Sequence, residues 1–277
     1  MYLALNGSLV AHRTPWPEIA QLASRIGFGG VDILGSEAME AGIAATCGLL
    51  AELAIRPGAM RLPVEFRKDE RTFQDDLPKL DAAARFAASI GCPRMTAWVP
   101  ASGELPKSEQ RAVYKSRLGA VADVLARSNV RLGLENLGPL HLRRRFPHEF
   151  IYRTDEMLEF ASECGSNVGI LLDSWHWHHS GGTTGDILAA GAGHIVHVHV
   201  ADVPDVPPDE VLDSERLMPG DGVADLVGFF QALAKSGYRG AVSPEVFGRG
   251  LGDMTPEDGA KLGLGTTREV MRCLNAS

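Results

Sequence analysis

Apolar residues recur along the chain in two alternating rhythms: short runs rich in β-branched residues, and longer segments with apolar positions at helical spacing. Tyr2 to Leu5 reads as a strand closed by Asn6-Gly7. Pro15 to Ile26 then carries Trp16, Ile19, Ala20, Leu22, Ala23 and Ile26 at helical spacing and stops at Gly27. Gly30 to Leu34 is a second strand, an Ala-rich helix runs from about Ser36 to Leu53, and Ile55 to Pro63 is a third strand. The pattern predicts one helix over Thr72 to Ile90, stopped by Gly91, a fourth strand over Met95 to Val99 and a helix over Ser108 to Ser128. Strand five is Val130 to Glu135, and helix five is Thr154 to Cys164, with Thr154 as N-cap and Asp155-Glu156 in its first turn. Val168 to Asp173, Ile195 to Asp202 and Ala241 to Phe247 complete the strands. Helices at about Thr184 to Ala190, Asp225 to Ser236 and Pro256 to Leu274 follow them.

Strands that alternate with helices require a parallel sheet, and eight such units fit a closed (β/α)8 TIM barrel of about 250 residues. A doubly wound nucleotide-binding sheet would place Gly-x-Gly-x-x-Gly after its first strand, and Asn6-Gly7-Ser8-Leu9 is not that motif. The expectation is one barrel domain over residues 1–277, with no internal repeat beyond the βα period and no linker.

Composition narrows the function. A chain of 277 residues with 45% hydrophobic content can build a large core, and a net charge of −8 argues against a nucleic-acid surface. The four cysteines, Cys47, Cys92, Cys164 and Cys273, are scattered without Cys-x-x-Cys, which suggests reduced thiols rather than a zinc cluster or a disulfide framework. No apolar run is long enough for a membrane span and no leader is apparent, so a soluble cytoplasmic protein is expected.

Chemistry concentrates at the ends of the later strands. His197 and His199 alternate in an apolar strand and therefore share a face, where they are either hydrogen-bonded core histidines or partners of a metal. Three other predicted strands end in carboxylates, at Glu135, Asp173 and Glu245. All lie at C-terminal strand ends, the face on which (β/α)8 enzymes build their sites. Taken singly, Glu135 or Glu245 would pair with an arginine and Asp173 would cap the next helix. Together, Glu135, Asp173, His199 and Glu245 form an oxygen-rich set suited to one divalent ion, Mn, Mg, Co or Zn. A metal chelating the carbonyl and neighbouring hydroxyl of an α-hydroxyketone stabilises an enediolate, with Glu135 and Glu245 as proton carriers.

These motifs carry a resemblance. Gly133-Leu134-Glu135-Asn136, Leu172-Asp173-Ser174-Trp175-His176, His197 to Asp202, Arg216-Leu217-Met218-Pro219-Gly220-Asp221-Gly222 and Ser243-Pro244-Glu245-Val246-Phe247 resemble the sugar isomerase/epimerase family with a xylose-isomerase-like barrel. The set is most similar to the inosose (2-keto-myo-inositol) isomerase branch. The resemblance implies a divalent metal on Glu135, Asp173, His199 and Glu245, with His176 reaching the substrate. Ketose 3-epimerases of the family carry an arginine six residues after the histidine ligand, where this chain has Asp205, so a free ketose is less expected.

The expected function is a divalent-metal-dependent isomerase or epimerase that moves a proton α to the carbonyl of a keto-sugar or keto-inositol. The alternative is a lyase or dehydratase, of the 3-dehydroshikimate or 3-keto-glycoside type, in which the same enolate expels a leaving group protonated by His176. A silent sugar sensor would have no use for both glutamates. A nuclease on this barrel would need further ligands and a basic face. The expected partner is a small keto-sugar or cyclitol, not nucleic acid or membrane, with assembly into a homo-oligomer left open. Trp98 is a candidate for stacking on a sugar ring or for plain packing, and Arg216 for a substrate oxygen or a solvated surface. Leu137 to Arg153, with Arg143-Arg144-Arg145, reads as a solvated loop, with a lid for a polar or anionic substrate as the other option. His178 and His179 are expected in a loop.

Overall fold

A computed structural model of the chain describes residues 1–10, 14–248 and 251–275. The first half alternates β1 (Tyr2–Leu5), α1 (Trp16–Ile26), β2 (Gly30–Ile33), α2 (Gly35–Ala41), α3 (Ile43–Glu52), β3 (Arg56–Arg61), α4 (Glu70–Asp76), α5 (Leu80–Ser89), β4 (Arg94–Trp98), β5 (Ser102–Gly103) and α6 (Lys107–Ala126). The second half continues with β6 (Arg131–Glu135), α7 (Leu140–Arg143), β7 (His148–Glu149), α8 (Thr154–Cys164), β8 (Val168–Asp173), α9 (Ser174–His179), α10 (Thr184–His194), β9 (Ile195–Val200), α11 (Leu226–Lys235), β10 (Ala241–Pro244) and α12 (Pro256–Met271). Eight parallel strands close into a barrel in the order β1-β10-β9-β8-β6-β4-β3-β2, as the alternation predicts. Every residue of β8 and β9 is buried, which is the continuous apolar pattern of strands covered on both faces. The helices cover the barrel with apolar stripes; in α1 the buried set is Trp16, Ile19, Ala20, Leu22 and Ala23.

Several expected elements differ. The helix expected from Ser36 to Leu53 is two helices, because Gly42 has φ of 87°, a conformation that ends α2. The helix expected from Thr72 to Ile90 is interrupted by a 3-10 turn at Leu77–Lys79, where Pro78 has no N–H to donate. Thr154 is the first residue of α8 rather than its cap; the cap is Arg153, and Thr154 Oγ1 has no hydrogen-bond partner. The helix after β8 begins at once as α9, so His178 and His179 are helical rather than loop residues. The following helix extends to His194 through a kink at Gly191, and its N-terminus is closed by a capping box between Thr183 and Asp186. Cys47, Cys92 and Cys164 are free thiols, while the side chain of Cys273 lies outside the described residues. Among the described residues no helix is long and apolar enough to cross a membrane.

The segment after β6 is solvated over residues 144–149, as expected, but it is anchored on both sides of that stretch. It forms α7, pairs β7 with β5 in an antiparallel ribbon, and buries Phe150 and Ile151. Ser102 Oγ donates to Leu142 O at 2.7 Å and accepts from Phe146 N at 3.2 Å, which clasps the segment at its middle. Asn136 Nδ2 donates to Tyr152 O at 2.8 Å near its end. Arg143 donates to Glu149 at 2.7 Å and lies over Tyr152 at 3.6 Å, so this arginine of the basic run is committed within the segment. Phe150 stands edge-on between Tyr114 (5.6 Å) and Phe160 (6.2 Å), linking the segment to α6 and α8. Phe150→Ala should therefore cost about 3–5 kcal/mol, the usual range for removing a buried phenyl ring. Urea unfolding measures it, and a loss below about 1 kcal/mol would contradict this anchoring role.

Candidate metal centre

Four adjacent strands deliver the site. In the barrel order β10-β9-β8-β6, Glu245 follows β10, His199 lies in β9, Asp173 ends β8 and Glu135 ends β6. Parallel register aligns Asp173 with His199 and His199 with Ser243, two residues before Glu245. Glu245 N donates to Val200 O at 3.0 Å, which carries the ladder one step past β10. Ser174 Oγ donates to Ala201 O (2.6 Å) and accepts from Ala201 N (2.9 Å), tying the ends of β8 and β9 together.

Glu135, Asp173, His199 and Glu245 each offer one ligand atom within 4.8 Å of the others. His199 Nδ1 stands 3.3 Å from Glu245 Oε2 and 3.7 Å from Glu135 Oε1, yet His199 Nδ1 and Glu135 Oε1 are buried without a hydrogen-bond partner. Buried lone pairs without a donor are costly, and converging carboxylate and imidazole atoms of this kind fit a divalent cation. The donor set therefore suits the ion that the sequence suggests.

The surroundings set the charges. Burial pushes the Glu135 carboxyl up to about 7, and the neighbouring carboxylates of Asp173 and Glu245 push the same way against the opposing pull of His199. For Asp173, burial acts upward but is outweighed by Arg216, His176 and His199, which hold it at about 2. Burial also opposes ionisation of Glu245, and His199 and Arg216 reverse that effect and lower it. His199 is raised well above the ordinary histidine value because Glu245 and Glu135 outweigh its burial.

Arg216 is not a solvated surface residue. It is 2% exposed, and its Nη1 donates to Asp173 Oδ2 at 2.8 Å and to Glu245 Oε2 at 3.0 Å, while Nη2 donates to Asp213 Oδ1 at 3.0 Å. Its guanidinium also lies over Phe247 at 4.6 Å. The readings of Asp173 as a cap and of Glu245 as an arginine partner thus hold alongside the cluster: Asp173 Oδ1 accepts from Trp175 N at 2.8 Å and caps α9. Asp202 brings Arg216 in. Its backbone pairs with Leu217, and its carboxylate accepts from Val203 N, Gly220 N and Ala224 N at 2.8, 2.9 and 3.0 Å.

His176 is buried beside Arg216. Its Nδ1 accepts from Gly138 N at 3.3 Å, and its Nε2 lies 3.1 Å from Arg216 Nη2. Burial lowers its pKa to about 4, so the ring is neutral near pH 7 and has one lone pair for these two donors. Only one of the two contacts is a true hydrogen bond. His197 has core partners at Nε2, 3.2 Å from Ser243 Oγ and 3.3 Å from Asp32 Oδ1, while its Nδ1 is buried without one, and Asp32, His197 and His199 form a second group of possible ligands. Asp32 also accepts from Asn6 Nδ2 and Ala59 N, each at 3.0 Å. Asp32 was not evident from sequence, since a lone aspartate inside a short strand carries no motif. Trp98 lines the cavity, but Arg67 covers its ring at 3.9 Å, so one face is already stacked. Asp205 is exposed. The cluster opens into a cavity of about 560 Å³ that also includes His176, Arg216 and Arg145.

Barrel and cluster together define a class: a TIM barrel with a carboxylate-histidine constellation at its C-terminal face. The chain belongs to the xylose isomerase-like TIM barrel family, whose sequence model matches residues 20–270. It is 27% identical over 221 residues to an inosose isomerase of Halalkalibacterium halodurans, covering 78% of this chain and 76% of that protein. A xylose isomerase domain protein from Alicyclobacillus acidocaldarius superposes with a TM-score of 0.89 at 29% identity over 99% of both chains. The IOLI protein with a binding zinc atom superposes with a TM-score of 0.84 at 22% identity over 98% of both chains.

Asp173→Ala and His199→Ala should each lose a divalent ion that the unaltered protein holds at about one per chain, with circular dichroism unchanged. Unaltered metal content in both variants would contradict the cluster. Ligation also requires Glu135 ionised and His199 Nδ1 free of its proton. Both groups are held above their ordinary values, so acid competes with metal and affinity should rise as pH goes from 6 to 8. Calorimetric titration with Mn²⁺ reads this, and a flat profile would contradict it.

Proposed function

We propose that the chain is a divalent-metal-dependent isomerase or epimerase acting on a keto-inositol or keto-sugar. The observation that carries this reading is the position of Glu135 and Glu245 at the two outer strands of the four-strand arc, with Asp173 and His199 between them. When bound, a divalent ion supplies Lewis-acid stabilisation of the charge that develops on the carbonyl and adjacent hydroxyl oxygens of an α-hydroxyketone. Glu135, buried at the cavity wall, takes the proton from the hydroxyl-bearing carbon; the C–H electron pair forms the new carbon-carbon double bond and the carbonyl π pair moves onto the carbonyl oxygen. Glu245 carries the proton on the other side. Return to the same carbon from the opposite face inverts it. Return to the former carbonyl carbon, with a hydroxyl hydrogen passing to the old carbonyl oxygen, moves the ketone to its neighbour.

Arg216 holds Asp173 and Glu245 with Nη1, and the Nη2 side of its guanidinium, beside His176 in the same cavity, meets a substrate oxygen. His176, neutral and in the same cavity, positions a hydroxyl group. The likeness to inosose isomerases over most of both chains supports a cyclitol ketone within this class. A lyase is the second reading. It has in its favour that His176 with its proton on Nε2 is an acid for a leaving group next to the reacting carbon, the tautomer that the Gly138 contact favours.

Glu135→Gln and Glu245→Gln should keep metal at least in part while turnover of 2-keto-myo-inositol falls by about 10²–10⁴-fold, the usual contribution of a positioned base. In D₂O one variant should wash deuterium into the α position without forming product, and the other should be silent. Near-normal turnover in both variants with metal retained would sink the two-glutamate reading and turn attention to His176 as the base.

A further inference from the structure

A second cavity of about 600 Å³ adjoins the metal cavity and shares Trp98, Leu137, Leu142 and Arg145 with it. Its other walls include Val113 and Tyr114 of α6, Ala101, Leu105 and Phe146, with Gln110 and charged side chains among them. Phe146 and Trp98 are each 38% exposed and Leu105 is 42% exposed, so three large apolar side chains are left uncovered around one hollow.

Among the charged groups of the walls, Glu65, Arg67 and Arg117 are engaged, while Lys68, Glu104 and Arg145 are exposed. Arg67 donates to Glu65 Oε1 at 2.6 Å and Oε2 at 2.8 Å while lying flat on Trp98, and Arg117 donates to Glu70 at 3.0 Å and to the carbonyls of Phe66 and Lys68. The cavity therefore offers aromatic and aliphatic surface alongside the exposed charges of Lys68, Glu104 and Arg145. Its wall is held in place, because the Ser102 clasp fixes Leu142 and Phe146 on the ordered segment between β6 and α8. The metal cavity by itself already falls within the range of about 300–1,000 Å³ that accommodates a drug-sized ligand. A small cyclitol would leave the adjoining hollow vacant.

We propose that the second cavity is a subsite for an aromatic or other planar apolar group joined by a glycosidic oxygen to the keto-sugar, whose α-hydroxyketone sits over Glu135 and Glu245. This deepens the reading of the metal cavity given above and rests on it. The appended ring packs against Phe146, Leu142 and Leu105, and the shared edge at Trp98 marks the passage of the glycosidic linkage.

Methyl and 4-nitrophenyl 3-keto-β-D-glucopyranosides share the α-hydroxyketone and differ only in the appended group. Their Kd values for Mn²⁺-loaded and metal-free protein should differ by roughly 10–100-fold in favour of the aryl compound, the discrimination that a buried apolar group supplies. Val113→Trp fills the subsite from a half-buried position on α6 and should bring the ratio close to one. Leu105→Trp, at an exposed position, is the companion variant should the first fail to fold. Equal Kd values in the unaltered protein, or an aryl preference that persists in folded, metal-binding Trp variants, would overturn the subsite. Aryl preference in a protein that binds no Mn²⁺ and exchanges no α-hydrogen with D₂O would uphold the cavity and sink the metal reading. Exchange of the methyl compound without aryl preference would do the reverse.

Discussion

The burial of Glu135, Asp173 and Glu245 at one mouth of the barrel is the constraint to which the rest of the structure answers. Three carboxylates within a few ångströms cannot all ionise in a buried site unless positive charge meets them. Two local cations respond: the guanidinium of Arg216 holds Asp173 and Glu245, and His199 is drawn above its ordinary pKa between Glu135 and Glu245. Glu135 has neither a cation in hydrogen-bond contact nor a donor for its Oε1, and it is the carboxyl pushed up to about 7. The position of highest electrostatic cost is thus the carboxyl that gains most from a bound cation.

The supporting elements follow from this need. Asp202 spends its carboxylate on three backbone N–H groups so that the Pro-Gly-Asp-Gly turn carries Arg216 inward. Asp32 and Ser243 occupy His197, leaving its neighbour two residues on to face the carboxylates. Gly138 has no room for a side chain against the His176 carbonyl, which lets its N–H approach the His176 ring. The ordered segment from Leu137 to Arg153 then closes one side of the mouth and forms the partition between two cavities.

The barrel and the four strand-end residues were legible in the sequence because each depends on local periodicity. A strand ends where its apolar run ends, and the residue there faces the site whatever the distant chain does. The breaks at Gly42 and Pro78 were also local signals, but the Ala-rich and periodic stretches around them read as continuous helix. Arg216, Asp32 and the Leu137 to Arg153 segment depend instead on contacts across long sequence separations. Arg216 meets Asp173 across 43 residues, and Asn6 meets Asp32 across 26, and no spacing rule reports either. Within the run Arg143-Arg144-Arg145, the last two are exposed as their charge suggests, whereas the anchoring by Phe150 and the Ser102 clasp depends on distant partners.

One imidazole and three carboxylates converge at the mouth of the barrel, and a single divalent ion held among them is what the proposed chemistry requires. Pulsed electron paramagnetic resonance of the protein titrated with Mn²⁺ tests it most directly, because directly bound nitrogen modulates the echo. The expected result is about one Mn²⁺ per chain with a single coupled ¹⁴N that disappears in His199→Gln. Bound Mn²⁺ with no nitrogen coupling, or coupling that survives that substitution, would contradict it.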